Sequence, residues 1–267
     1  MTSPLPPVVL FAGPINSLQA PQATIDGAKR HFFTCTGDGA QPPKCLDLIS
    51  LSDGGRVLPG FLKSVGLDEK SVGDIYLGAF SAGGQIWKRL LSNDQDRARV
   101  TGVMLHDAAY ETGTEADPRY TEGYVRFGLD ALSDPKKFML MTASKNPNFK
   151  YQSGAATLRA TVAEIEKRSG KRLDTAASLP AGLPNPARLW SKGGNIWLAQ
   201  YDDIDHNGLA GNAGLFWQQL LQPWHSAPKF PTLVAFGDET NWLVAVGVIG
   251  VGIAVGYLGT RYFERIE

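Results

Sequence analysis

Hydrophobic positions follow two alternating patterns along most of this chain. Short, continuous apolar runs, typical of strands buried on both faces, recur between segments with apolar residues every three or four positions, typical of helices. The runs predicted to be strands are Val8–Ala12, Leu46–Leu51, Ile75–Ala79, Val100–Leu105, Phe138–Ala143 and Ile196–Tyr201. This alternation predicts an α/β fold with a mostly parallel sheet flanked by helices.

The clearest helical pattern covers Thr157–Arg168, where Leu158, Val162 and Ile165 share one face and charged residues occupy the other. Further helices are predicted over 20–30, over Pro59–Val65, after Ala82, and around Phe216 and Leu220. Segments 171–195 and 222–240 are rich in Pro, Gly and Ala, and are predicted to be loop and linker. The folded domain is therefore expected to span residues 1–222, with a linker over 223–240.

A different pattern follows the linker. Trp242–Gly259 is an uncharged stretch of 18 residues, and a helix of that length would span about 27 Å, close to the hydrocarbon thickness of a bilayer. We therefore expect a transmembrane helix over 241–260 and a short tail over 261–267. A buried core helix or a pair of strands is the alternative, but five glycines would make a poor soluble helix.

The sequence gives two opposing indications of membrane topology. Arg261 and Arg265 follow the expected span and favour a cytoplasmic C-terminus. The first residues lack the basic and apolar regions of a secretory signal, which favours a cytoplasmic folded domain. We give the second argument more weight, so a single-pass, C-terminally anchored protein with a cytoplasmic domain is expected. Gly252 and Gly256 have a spacing that suits helix–helix self-association.

The charge balance disfavours a nucleic-acid partner, and the two cysteines leave the question of a disulfide open. Lys and Arg together number 26, as do Asp and Glu, and no basic run indicates a nucleic-acid partner. The two cysteines, Cys35 and Cys45, flank a Gly/Pro-rich segment. A small disulfide loop and two reduced thiols are both compatible with this spacing.

The segment Gly78–Gly84 carries the strongest chemical signal. Ser81 stands between an apolar strand and an amphipathic helix, with the small residues Ala79 and Gly83 two positions away on either side. A sharp strand-to-helix turn that exposes a nucleophilic serine requires small residues at these places. A phosphate-binding loop is excluded because Gly84 and Gln85 replace the required Lys-Ser/Thr, and a dinucleotide fingerprint because Phe80 replaces its second glycine.

A serine nucleophile needs an imidazole to accept its proton. Of the four histidines, His206 follows the last predicted strand, so it would lie at the same sheet edge as Ser81. His106 also ends a strand, whereas His31 and His225 have no comparable placement. His206 is therefore the predicted base.

The chain order Ser81, Asp107, His206 resembles that of the α/β-hydrolase fold, over roughly residues 8–222. The resemblance implies a serine esterase or lipase with these residues as its triad. Two departures stand out: Ala79 replaces the first glycine of the family's motif, and no carboxylate follows Phe138–Ala143, where the family usually has its acid. Asp107 is the predicted acid, with Asp203 and Asp205 as open alternatives.

An oxyanion hole requires two backbone N–H groups. Ala82, which follows the nucleophile, is expected to supply one, and Gly13, after the first strand, the other, with Ala12 as an alternative. We expect no cofactor. A metal at the acidic cluster around His206 is disfavoured because the sequence shows no further ligand pattern.

The expected function is hydrolysis of a small-molecule or lipid-like ester by a membrane-anchored serine hydrolase. The alternative, motivated by the missing acid after Phe138–Ala143, is a membrane-anchored structural or binding protein that keeps a hydrolase scaffold without turnover.

Overall fold

The computed structural model describes residues 4–14, 24–35, 55–145 and 152–227. These residues form a seven-stranded sheet with the order β2-β1-β3-β4-β5-β7-β6. Neighbouring strands are parallel except β6, which runs antiparallel to β7. The strands are β1 Val8–Gly13, β2 Lys29–Thr34, β3 Ile75–Phe80, β4 Val100–His106, β5 Phe138–Ser144, β6 Arg188–Lys192 and β7 Ile196–Tyr201.

Helices connect most of these strands. They are α1 Leu58–Ser64, α2 Gly84–Ser92, α3 Asp94–Arg99, α4 Glu122–Ser133, α5 Gly154–Ser169, α6 His206–Gly211, α7 Ala213–Phe216 and α8 Gln222–Ser226. Short 3₁₀ turns cover Glu69–Ser71 and Ser81–Gly83, and Trp217–Leu221 is π-helical.

Two apolar cores lie on opposite faces of the sheet. Leu10 and Leu77 face one core, which also contains side chains of α1, α2, α4 and α5. Phe11 and Tyr76 face the other, together with side chains of α6, α7 and the π-helical turn. Successive strand residues point to opposite faces, so strands covered on both sides must be apolar throughout. The predicted α/β architecture, a mostly parallel sheet flanked by helices, is confirmed.

The helix predicted over 20–30 is wrong in its described part. Residues 24–28 contain a turn, and Lys29–Thr34 form β2. Among the described strands β2 pairs with β1 alone, and Lys29, Arg30 and Phe32 are exposed. An edge strand with one solvated face mixes polar and apolar residues, and over so short a segment this resembles an amphipathic helix.

The segments predicted to be loop and linker also contain regular structure. β6 lies within 171–195, and α8 extends to Ser226, into the expected linker. β6 is another edge strand, whose terminal residues Arg188 and Lys192 are exposed, so it lacks the apolar run of a central strand. α3 and α4 were not predicted either.

Several predictions fall outside the described residues. They include the strand Leu46–Leu51, the linker beyond residue 227, the transmembrane helix over 241–260 and the tail 261–267. Within the described residues, no helix has the length and apolar character needed to cross a membrane. Cys35 is fully buried and disulfide-bonded, and Cys45, the other cysteine of the sequence, is not among the described residues.

His106, at the end of β4, is a fully buried core residue. Its Nε2 accepts a hydrogen bond of 3.2 Å from Nε1 of Trp217, and its ring lies 5.7 Å from that of Phe216. Burial lowers the pKa of His106 to about 3, from an ordinary value of 6.5. The imidazole is therefore neutral in the folded protein at physiological pH.

This buried imidazole predicts a pH-dependent loss of stability. Between about pH 6.5 and about pH 3, the unfolded chain binds a proton at His106 that the folded chain does not. The free energy of unfolding should therefore fall with decreasing pH, by up to about 1.4 kcal/mol per pH unit from this group. Urea denaturation at pH 7.5 and pH 5 should show a smaller loss for His106→Gln than for the unchanged protein. Equal losses in both proteins would contradict the assignment.

Candidate active site

Four neighbouring strands bring the candidate site together. Ser81 directly follows β3, Asp107 follows β4, Ser144 ends β5 and His206 lies shortly after β7. These strands are adjacent and parallel in the order β3-β4-β5-β7. Their carboxyl ends therefore meet at one edge of the sheet, the usual location of ligand sites in α/β proteins.

Ser81 occupies a sharp turn with a backbone conformation that is rare outside glycine. Its φ is 55°, in the left-handed region, and it begins the 3₁₀ turn that leads into α2. A non-glycine residue in this region is held there by its surroundings and indicates a functional position. The expected geometry of a nucleophile at a strand-to-helix turn is therefore present.

Close backbone contacts explain the glycines that follow Ser81. A Cβ at Gly83 would lie 2.0 Å from the carbonyl oxygen of Ala12, and one at Gly84 would lie 1.8 Å from that of Ala108. Both distances are far shorter than a van der Waals contact permits, so only glycine fits. The turn is thus packed tightly between the ends of β1 and β4.

His206 and Asp107 form a hydrogen-bonded pair beside this turn. Nδ1 of His206 lies 2.9 Å from Oδ2 of Asp107. Asp107 is buried and has a φ of 44°, whereas the His206 side chain is 31% exposed. The imidazole stacks on the ring of Phe80, which precedes Ser81, with ring centres 4.4 Å apart. The base and acid predicted from the sequence are thus in contact.

The carboxylate of Asp107 defines the tautomer of His206. An ionised carboxylate only accepts hydrogen bonds, so the contacting Nδ1 carries a proton and Nε2 of the neutral ring keeps its lone pair. Within the described residues, the Ser81 hydroxyl makes no hydrogen bond with His206. The two side-chain hydrogen bonds of His206 there both involve Nδ1. Nucleophile–base hydrogen bonds are often long before substrate binds.

Of the two alternative acids, Asp205 caps a helix and Asp203 faces solvent. Asp205 caps α6, because its Oδ1 accepts a hydrogen bond of 2.7 Å from the backbone N–H of Gly208. Asp203 is exposed to solvent. Both residues are close to His206 in sequence, but it is the carboxylate of Asp107 that hydrogen-bonds to the imidazole.

The residues expected to form an oxyanion hole lie next to each other. Ala82 is the second residue of the 3₁₀ turn, and Gly13 ends β1. A Cβ at Gly83 would lie 2.9 Å from the backbone nitrogen of Gly13, which places the end of β1 directly against the turn. Two backbone N–H groups in this region can stabilise a developing oxyanion if both point to one place.

Three residues around Asp107 were not predicted from the sequence to belong to the site. Ser144 donates a hydrogen bond from Oγ to Oδ2 of Asp107, and the hydroxyl of Tyr110 lies 3.1 Å from Nδ1 of His206. A Cβ at Gly154 would lie 2.2 Å from Oδ1 of Asp107. Only Ser144 carried a signal, because it stands where the resembled family usually has its acid.

His31 and His225 lie away from this edge. Nδ1 of His225, on α8, is 2.6 Å from the hydroxyl of Tyr76. Tyr76 is the second residue of β3, so it lies near the amino end of that strand and away from Ser81. His31 belongs to the edge strand β2, where burial lowers its pKa. Among the described residues, no group of three or more His, Cys, Asp or Glu side chains is arranged to hold a metal ion.

Comparison with known proteins finds similarity in structure but none to a protein-family model or a curated sequence. No protein-family model matches the sequence, and no curated protein matches it. One similar solved structure is LpqC, a poly(3-hydroxybutyrate) depolymerase from Bordetella parapertussis, with a TM-score of 0.40 and 17% sequence identity. The alignment covers 80% of this chain and 79% of that chain. The functional argument therefore depends on the geometry of the site itself.

Proposed function

We propose that this protein is a serine hydrolase of the α/β-hydrolase type that cleaves carboxylic esters. One observation carries the proposal: a buried Asp107 carboxylate holds the imidazole of His206 beside the strained turn of Ser81. This combination of nucleophile, base and orienting acid is the arrangement that acyl transfer by a serine requires.

The proposed reaction proceeds in two steps. Oγ of Ser81 attacks the ester carbonyl while Nε2 of His206 takes its proton, and the backbone N–H groups of Ala82 and Gly13 stabilise the oxyanion. The tetrahedral intermediate collapses to an acyl-enzyme, and His206 gives its proton to the departing alcohol. Water, deprotonated by His206, then attacks the acyl group, and the carboxylic acid leaves as Ser81 regains its proton.

A second candidate, a binding protein on the same scaffold without turnover, is favoured by the absence of a Ser81–His206 hydrogen bond within the described residues. Rotation of the Ser81 side chain about its Cα–Cβ bond is one movement that can alter the Oγ–Nε2 separation. Reactivity at Ser81 therefore distinguishes the two candidates.

The first test is covalent labelling. A fluorophosphonate probe should label the intact protein, Ser81→Ala should abolish labelling, and His206→Gln should reduce it by at least about a hundredfold because Ser81 loses its base. Ser133→Ala, which alters an exposed serine on α4, is the matched control and should label normally. Absence of labelling in the intact protein, or equal labelling of Ser81→Ala, would favour the binding protein.

A second test uses the close packing at Gly154. In Gly154→Ala the new methyl group would overlap Oδ1 of Asp107 and displace the carboxylate from His206. Hydrolysis of a short-chain p-nitrophenyl ester should fall by about tenfold or more, since a misplacement of about 1 Å can cost on the order of a hundredfold in rate. Gly211→Ala is the control, because a Cβ there meets no atom within 4 Å. Equal activity of the two variants would show that this contact does not matter.

Membrane attachment through residues 241–260 remains a proposal, supported by the hydropathy of that segment. Attachment would bring the enzyme close to lipid-like esters, and the proposed substrate class includes small-molecule esters as well. The full chain should float with liposomes in a density gradient at high salt, and a chain ending at residue 227 should not. Equal behaviour of the two chains would remove the basis for the anchor.

A further inference from the structure

The carboxylate of Asp107 is surrounded by hydrogen-bond donors. Oδ2 accepts from Oγ of Ser144 and from Nδ1 of His206, and Oδ1 accepts from the backbone N–H of Ser144 at 3.2 Å. The hydroxyl of Tyr110 lies 3.1 Å from Nδ1 of His206, the same atom that donates to Oδ2. An ionised carboxylate offers about four acceptor sites, so these three hydrogen bonds leave room for one more.

Tyr110 contacts both members of the acid–base pair. Burial raises the pKa of Tyr110 well above its ordinary value, so the phenol keeps its proton at neutral pH. Nδ1 of His206 already carries a proton, and it cannot accept another from the hydroxyl 3.1 Å away. The oxygen of Tyr110 can share the Nδ1 proton, and its own proton can go to the neighbouring Asp107 carboxylate, whose charge adds to the effect of burial in raising the pKa of the phenol.

Ser144 contacts the carboxylate at both oxygens, through its hydroxyl and its backbone N–H. It ends β5, the strand that lies between β4 and β7, and it is fully buried. Gly154 lies so close to another side of the carboxylate that a Cβ there would be 2.2 Å from Oδ1. The orientation of Asp107 is thus determined by atoms of β5, α5 and the segment after β4.

We propose that the hydroxyl groups of Ser144 and Tyr110 are positioning groups that hold the Asp107 carboxylate against Nδ1 of His206. The inference rests on the proposed serine hydrolase function. A buried carboxylate on a residue in the left-handed region has no water shell to orient it, so fixed donors must do so. Ser144 thereby contributes at the strand end where the resembled family usually has its acid.

Kinetics of ester hydrolysis test the inference. Ser144→Ala and Tyr110→Phe should each lower kcat about tenfold, the usual scale for a lost hydrogen bond to a charged group, with KM unchanged within twofold. Ser144→Thr keeps the hydroxyl and should recover most of the activity. The matched controls are Ser133→Ala and Tyr120→Phe, whose hydroxyls contact a helix carbonyl and Arg168 instead, and both should retain full activity.

The decisive readout is the dependence on Asp107. In an Asp107→Asn background, adding Ser144→Ala or Tyr110→Phe should lower kcat no further, because both hydroxyls act through the carboxylate. Undiminished effects in that background, or full activity of both single variants, would overturn the proposal. Circular dichroism melting of each variant separates these outcomes from unfolding, and both Ser144→Ala and Tyr110→Phe remove only one oxygen.

A proton NMR measurement keeps this proposal separable from the proposed function. The Nδ1 proton of His206 should give a downfield resonance that disappears in His206→Gln. In Ser144→Ala and Tyr110→Phe the same proton should exchange with water at least several-fold faster, since its acceptor is less well held. Faster exchange in a protein without esterase activity would support the positioning role and reject turnover. Unchanged exchange would reject the positioning role.

Discussion

The parallel pairing of β3, β4, β5 and β7 determines where each chemical group of the candidate site lies. Because the four strands run in one direction, the residues that follow them meet at a single edge. Ser81, Asp107 and His206 are separated widely in sequence, yet they follow three strands of this set. The apolar cores on both faces of the sheet keep this pairing in place, so the site depends on the sheet rather than on any single loop.

Close backbone packing gives the site its precision. Gly83 and Gly84 permit the turn after Ser81 to lie against β1 and against the segment after β4, and Gly154 allows α5 to begin beside Asp107. Ser81 and Asp107 both adopt left-handed backbone conformations, which cost on the order of 1–3 kcal/mol each in a non-glycine residue. Such conformations persist when tightly packed neighbours leave no alternative, and the glycine contacts provide that packing.

Burial of Asp107 imposes a second requirement, that its carboxylate be satisfied by hydrogen bonds. The donors come from His206 and Ser144, which belong to different parts of the fold, and the hydroxyl of Tyr110 lies 3.1 Å from the His206 nitrogen that donates. Buried His106, one residue earlier, has Trp217 as its one hydrogen-bond partner among the described residues, and burial lowers its pKa to about 3. Adjacent residues thus acquire different chemistry because one side chain is buried among apolar rings and the other among hydrogen-bond donors.

Sequence alone determined the central strands, the turn at Ser81 and the placement of His206 after the last strand. Continuous apolar runs are unambiguous where a strand is covered on both faces, and small residues around a serine follow from the steric demands of a sharp turn. The edge strands β2 and β6 were not predicted because half-solvated strands lack that apolar signature. The acid was also left open, since Asp107, Asp203 and Asp205 were all compatible with the chain order. Tertiary structure brought Asp107 to His206, because strand adjacency and the capping role of Asp205 are properties of the folded chain.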